Sequence, residues 1–203
     1  MTETTRTAER GRPRAFDTEE ALDAAIQVFW RYGYEGASLS ALTEAMRINR
    51  PSLYAAFGSK SQLFQAAVRR YAEVDMAYVR DALEQPSARA VAESFLLANA
   101  AALTRPDRPA GCLSIQGGLS VAPESESIAS FLASSRLEGE RALADRFRAS
   151  VAAGDLPADG DPEALARFVM ALSEGHAVHA AAGVPRERLE ASARIALAVF
   201  PAA

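Results

Sequence analysis

Residues 38–57, SLSALTEAMRINRPSLYAAF, hold two short apolar-periodic segments with only a tight turn between them, a spacing that admits an αα-hairpin and little else. Leu39, Leu42, Ala45 and Met46 fall on one face of the first segment, with Ser38 placed as its N-cap. The second opens at Asn49, another capping residue, and runs through Leu53, Tyr54 and Phe57. Pro51 sits in its first turn, where no intrahelical N–H is lost. Arg50, Ser52 and the Tyr54 ring then stand away from Leu53 and Phe57. A first turn that carries a cation, hydroxyls and free backbone N–H groups suits insertion of a helix N-terminus into a DNA major groove. Any αα-hairpin of a helical protein shares the apolar spacing, so the flanks must decide between the two readings.

Upstream, Arg6, Arg10, Arg12 and Arg14 are spread through a stretch with Gly11 and Pro13 and no apolar period, the composition of a flexible basic arm over residues 1–15. Arginines on such an arm enter narrow minor grooves, and Arg12 and Arg14 are the candidates; a solubilising tail is the alternative. Downstream, Gly58 is a helix stop, and Ser59 with Gln62 has the pattern of a capping box. Lys60 then occupies a first helical turn, against the dipole's preference for acids, so its amine is expected either on a phosphate or in plain solvent.

Residues Phe16 to Phe64 form one unit: an initial helix with Ala25, Phe29, Gly33 and Tyr34, then LSALTEAM, then INRPSLYAAFGSKSQLF. That unit resembles the DNA-binding domain of the tetracycline-repressor-like (TetR) transcriptional regulators. Leu53-Tyr54-x-x-Phe57-x-Ser59-Lys60 is its most diagnostic part, and the Gly-Arg-Pro-Arg run of the arm is similar to that of a subset of the family. Beyond Ala72 only length and helicity agree. The resemblance implies an all-α fold, with a three-helix head over 16–64 and a larger helical domain for ligand binding and dimerisation over 65–203. It also implies a homodimer that binds a palindromic double-stranded operator, usually as a repressor, and leaves it when a small-molecule effector enters the C-terminal domain. Carried over residue by residue, Arg50 and Ser52 are the expected readers of base edges or phosphates and Tyr54 and Lys60 the expected phosphate clamps. Ser38, Arg47, Asn49 and Pro51 complete the DNA-binding set. One position departs from the pattern: the turn reads Met46-Arg47-Ile48, where the family usually has a central glycine. An arginine in glycine's left-handed conformation costs about 1 kcal/mol, so either the turn differs or Arg47 offsets the cost on a phosphate.

Composition fits this architecture. The 203 residues are 49% hydrophobic and rich in alanine, enough for a substantial helical core. A net charge of −4 argues against nucleic acid, but it is unevenly spread. Residues 1–70 carry ten Lys/Arg against eight Asp/Glu, whereas 71–203 carry twelve against eighteen. An acidic body behind a basic head suits a regulator that must also let go. No apolar run approaches the ~20 residues of a membrane span and no secretory leader is evident. A single cysteine excludes an intrachain disulfide, so the expected setting is cytoplasmic. The motifs of phosphate-binding loops, nucleophile elbows and zinc proteases are absent, which leaves an enzyme without positive support. A DNA-binding protein with no effector is a further alternative.

Breakers divide the remaining chain. Helices are expected over 59–84, 87–104, 123–153, 162–182 and 185–200, with a proline-bounded loop over 105–111 and a short element over 112–121. Leu165, Phe168, Val169, Leu172 and Gly175-His176 recur at helical spacing, as do Leu189, Ala193, Ala196, Leu197 and Phe200. The resemblance implies that these last two helices, through Leu165, Leu172, Leu189, Ala193 and Leu197, build a four-helix bundle with a second copy. The monomer's own core is the competing destination. An effector cavity among the middle helices would draw on Phe95, Leu96, Asn99, Leu103, Cys112, Ile115, Gln116, Phe131 and Phe168, with His176 as a pocket hydrogen-bonding group. Core packing explains most of the same residues. The set lacks a dense charge cluster, which favours a neutral or weakly polar ligand. Cys112 beside Arg105 and Arg108 suggests a thiol of lowered pKa and hence a redox or electrophile sensor, against the commoner role of a small buried hydrophobe. His176 and His179 have no third ligand nearby in sequence, so neither metal nor cofactor is expected.

Overall fold

The computed structural model describes residues 16–118 and 121–201, and among them there are ten α-helices and no strand. The arm residues Arg12 and Arg14 lie outside the described residues. α1 (Thr18–Gly36) starts at Asp17, whose carboxylate accepts the N–H groups of Glu19 and Glu20, and it kinks at Gly33, where φ is 67°. Its buried face, with Ala21, Ala25 and Phe29, meets α4 (Lys60–Val74). Edge-on ring contacts seal that seam: Phe29 with Phe64 at 4.9 Å and Trp30 with Tyr71 at 4.9 Å. Arg70 closes its rim, donating to both carboxylate oxygens of Asp23 at 2.6 and 2.9 Å and holding that carboxyl below its usual range. α2 (Leu39–Ala45) and α3 (Arg50–Phe57) cross the end of this pair with Leu42, Met46 and Leu53 buried, while Ala45, expected on the same face, is exposed.

The body is built from α5 (Tyr78–Leu83), α6 (Ala88–Leu103), the single turn α7 (Leu113–Gln116), α8 (Glu126–Ala152), α9 (Pro162–Ala181) and α10 (Arg186–Ala196). Short 3-10 turns precede α8 at Pro123–Ser125 and follow α10 at Leu197–Val199. Ser87 and Asp161 cap α6 and α9 through side-chain oxygens, and Pro162 sits in the first turn of α9. α8 and α9 run antiparallel, with Arg136–Glu174, Arg167–Glu140 and Arg148–Glu163 stepping along their shared edge.

Two expectations are corrected here. The helix read over 59–84 is interrupted at residues 75–77. The Tyr71 carbonyl accepts from both Asp75 (2.8 Å) and Met76 (3.2 Å), and the enclosed Asp75 carboxylate accepts from Arg108 Nε at 3.1 Å, anchoring the break to the 105–111 loop. An apolar period that continues through the break hides it from sequence. The dimer stripe is also reassigned in part. Leu189, Ala193 and Leu197 are buried in the chain's own core, and the guanidinium of Arg89 ties α6 to the Leu197 carbonyl at 2.7 Å. Leu165 and Leu172 are half-buried against that core. The large apolar side chains that α9, α10 and the 3-10 turn after it leave exposed are Phe168, Val178, Ile195 and Val199. Helical spacing marks a face without saying which neighbour takes it. The expected boundary at 64/65 falls inside α4, and one buried cluster runs from the head into α6, α7, α8 and α9 without a gap.

Candidate nucleic-acid interface and ligand cavity

The head presents α3 by its N-terminus. Ser38 Oγ caps α2 by accepting from Ala41 N–H at 3.1 Å, and Asn49 Oδ1 caps α3 by accepting from Ser52 N–H at 2.8 Å. Between them the turn closes by Arg47 N–H to Glu44 O (3.1 Å) and Ile48 N–H to Thr43 O (3.1 Å), the paired bonds of a Schellman stop. That stop requires a left-handed residue, and Arg47 takes it at φ 54°, the only non-glycine with positive φ among the described residues. The turn therefore has the glycine-type geometry, and the exposed Arg47 side chain leaves from it. Arg47→Gly is expected to raise stability by roughly 0.5–1 kcal/mol through relief of that strain, and to weaken operator binding modestly. Thermal melts and gel shifts check both halves; a melting temperature unchanged or lowered would count against the strain.

Arg50 is exposed, and its Nη2 donates to Ser40 Oγ on α2 at 2.9 Å, which holds the guanidinium at the leading end of α3. Pro51 and Tyr54 are exposed and Ser52 half-buried. Lys60 does not stand in plain solvent. Its Nζ donates to the Glu35 carbonyl at 3.4 Å and lies 4.5 Å over the Tyr34 ring, with burial lowering its pKa and the Glu35 charge opposing that. The amine thus sits at the carbonyl end of α1, where a cation is favoured, although its backbone begins α4, where it is not. The Glu35 carboxyl is held below its usual range by a hydrogen bond from Ser125 and by the Ala122 N–H at 3.0 Å.

A cavity of about 700 Å³, open to solvent on one side, lies between α4, α5, α6, α7, α8 and α9. Phe95, Asn99, Cys112, Ile115 and Phe131 line it as expected. Leu96 and Leu103 are core, and three other expected residues lie elsewhere. Gln116 turns away, donating to the Ala110 carbonyl at 3.3 Å. Phe168 projects outward from α9. His176 is buried between α9 and α10, its Nε2 2.7 Å from Ser192 Oγ, and burial lowers its pKa. Since the Ser192 hydroxyl donates to the Leu189 carbonyl, the imidazole is the donor in that pair. Met76 and Tyr78 escape the sequence reading because they lie in and just after the unforeseen break between α4 and α5. The charged rim residues, such as Arg69, Arg136 and Glu174, carry no apolar signal; burial raises the Glu174 carboxyl and Arg136 opposes it.

The activated-thiol idea is corrected. Arg105 pairs with Asp107 and Arg108 with Asp75, so neither cation faces the sulfur. Burial raises the Cys112 thiol, with Tyr71 Oη donating to Sγ at 3.3 Å as a smaller opposing effect. Among the described residues no group of three His, Cys, Asp or Glu side chains is placed to hold a metal, and no helix is long and apolar enough to cross a membrane.

Two family models match the chain: "Bacterial regulatory proteins, tetR family" over residues 21–67 and "Tetracyclin repressor-like, C-terminal domain" over residues 89–196. The HTH-type transcriptional repressor ComR of Escherichia coli (strain K12) is 35% identical over 194 residues, covering 95% of this chain and 92% of its own. An uncharacterized HTH-type regulator of Bacillus subtilis (strain 168), YezE, is 34% identical over 161 residues, 78% of this chain and 83% of its own. Among solved structures, a cysteine mutant of the TetR family regulator CifR complexed with 26-base-pair operator DNA is 47% identical. It covers 94% of this chain and 100% of its own at a TM-score of 0.90.

Proposed function

Because the chain belongs to the tetR family of bacterial transcriptional regulators, we propose that it is a homodimeric repressor that grips a palindromic operator and releases it when a small molecule fills the body cavity. The observation that carries this reading is the double role of α4. Phe64 of that helix is fully buried in the head, while Val68, Arg69 and Ala72 of the same helix line the cavity. A ligand that pushes on this wall moves the base of the head directly.

A second strut supports the coupling. Cys112, the N-cap of α7, and Ile115 within it line the cavity, and α7 is followed by Gly117, whose carbonyl accepts the Tyr34 N–H of α1 at 3.2 Å. Two heads held roughly 34–36 Å apart read adjacent major grooves together, so a small tilt of each is enough to lose the match. In this scheme Arg50, Ser52 and Tyr54 contact DNA, and Arg47 adds a phosphate contact from its strained turn. Lys60 either joins them by leaving the Glu35 carbonyl or acts by holding α1 against α4. The operator complex of the similar CifR and the repressor name of ComR support the DNA-binding part. An architectural DNA binder would have no use for the cavity.

Footprinting of the DNA upstream of the protein's own gene tests the proposal. Wild type should protect a palindrome, and Arg50→Ala should weaken that binding by about 10- to 100-fold, the equivalent of 1–3 kcal/mol for a lost base contact. Full-strength specific binding by Arg50→Ala, or no protected palindrome at all, would sink it.

A further inference from the structure

We propose that the inner wall of the cavity is a hydroxyl-binding site, so that its ligand is an uncharged and largely apolar molecule bearing one alcohol group. This rests on the effector reading for its biological purpose, but its chemistry stands on the cavity alone.

Asn99 lines the cavity on α6, is only 6% exposed, and has an Oδ1 without a hydrogen-bond partner. Its Nδ2 donates to Tyr78 Oη at 3.0 Å, and Tyr78 also lines the cavity. The phenol proton is then left over. Burial pushes the Tyr78 hydroxyl well above its usual range, so that proton stays in place at any physiological pH. The pair therefore offers one vacant acceptor, Asn99 Oδ1, and one vacant donor, Tyr78 Oη–H. Turning the amide over changes nothing essential: the phenol would then donate to Oδ1, leaving Nδ2 as the donor and the phenol oxygen as the acceptor. In both orientations the complement is a group that donates once and accepts once across a short span, and the smallest organic group that does so is a hydroxyl.

The surroundings disfavour ions. Phe95, Ile115, Phe131 and Met170 supply apolar walls. The charged residues of the lining balance, Arg69, Arg80 and Arg136 against Glu73, Glu138 and Glu174, and Arg136 pairs with Glu174. A carboxylate or ammonium at Asn99 and Tyr78 would lose hydration, and the balanced lining offers it no excess of opposite charge. A pure hydrocarbon would leave Asn99 unpaired, so it would gain only from the walls.

Calorimetric titration of the full-length protein with phenylbutanol, its methyl ether, phenylbutyrate and phenylbutylamine tests this. The four share one aromatic body and differ at one end. The alcohol should bind about tenfold or more tightly than the ether, which accepts but cannot donate, and both ions should bind more weakly than the alcohol. Asn99→Leu should bind alcohol and ether alike, whereas Tyr78→Phe, which leaves the Asn99 amide oxygen to accept the alcohol's proton, should preserve the gap. The wild-type series decides the matter even if a variant fails to fold. An ether that equals the alcohol, an ion that surpasses it, or no binding of the alcohol would overturn the proposal. Operator release is read separately: an alcohol that binds with the expected preference but leaves operator affinity unchanged would overturn the effector reading and leave the hydroxyl site standing.

Discussion

Phe64→Ala should cost the protein about 3–5 kcal/mol, the range for deleting a fully buried aromatic side chain from a site that cannot collapse. Phe64 is completely buried, and its ring stands edge-on to Phe29 at 4.9 Å and to Tyr34 at 5.2 Å. From the other side it bears on Gly117, where a Cβ would lie 3.0 Å from the ring. Those neighbours belong to α1, to the stretch beyond its kink and to the segment after α7, so no single element can shift to refill the space. Urea denaturation followed by near- and far-ultraviolet circular dichroism checks the figure. Phe64→Leu, which keeps most of the volume, should cost less than about 1.5 kcal/mol beside it. A loss near 1 kcal/mol for the alanine would mean that the head and the body pack less firmly there than the geometry implies.

What the sequence made legible was local. Ser38, Asn49 and Ser59 each cap the helix that follows, because a cap needs only a side-chain oxygen and the N–H two or three residues on. The position of the turn at Arg47 was legible too, but the sequence left its conformation open between a glycine-type turn and a different one, and the bonds within residues 43–48 decide for the first. The misreadings were all of partnership. The break at residues 75–77 depends on Arg108, more than thirty positions along the chain, meeting Asp75. Gln116, Phe168 and His176 have plausible spacing for the cavity, yet α7 and α9 rotate them elsewhere. Lys60 looked misplaced on its own helix because the carbonyl it reaches, Glu35 O, closes a different one. Cys112 sits near two arginines in sequence, but carboxylates claim both.

The same partnerships explain how one chain links a cavity to a reading surface. The buried cluster is continuous from α1 and α4 into α6 and α7, so the head has no independent core to insulate it from the body. Interiors packed this densely respond to displacement by moving whole elements. Glu35 binds the Ala122 N–H through its carboxylate while its carbonyl accepts from Lys60, which joins the segment before α8 to the start of α4 through the end of α1.

Ile195→Asp should break the proposed homodimer and reduce operator affinity by more than about 100-fold. Ile195 is 76% exposed, the most exposed large apolar side chain among the described residues. Val199, one turn further on, is 53% exposed, and Phe168 and Val178 lie open on α9. Little within the chain explains four such residues on its last two α-helices and the 3-10 turn that follows, and a face of this kind is commonly covered by a partner. In a two-fold arrangement each copy presents the same face, so one substitution places two carboxylates in the apolar seam. Since Ile195 touches little of its own chain, the folded monomer should survive, unlike that of Leu189→Asp, which buries a charge in the core. Loss of the dimer separates the two reading heads, and the gain from linking two binding modules, roughly 10²–10⁴, disappears with it. Sedimentation velocity and gel shifts on the same samples measure both effects. A variant that sediments as a dimer and binds operator at wild-type strength would move the interface off this face.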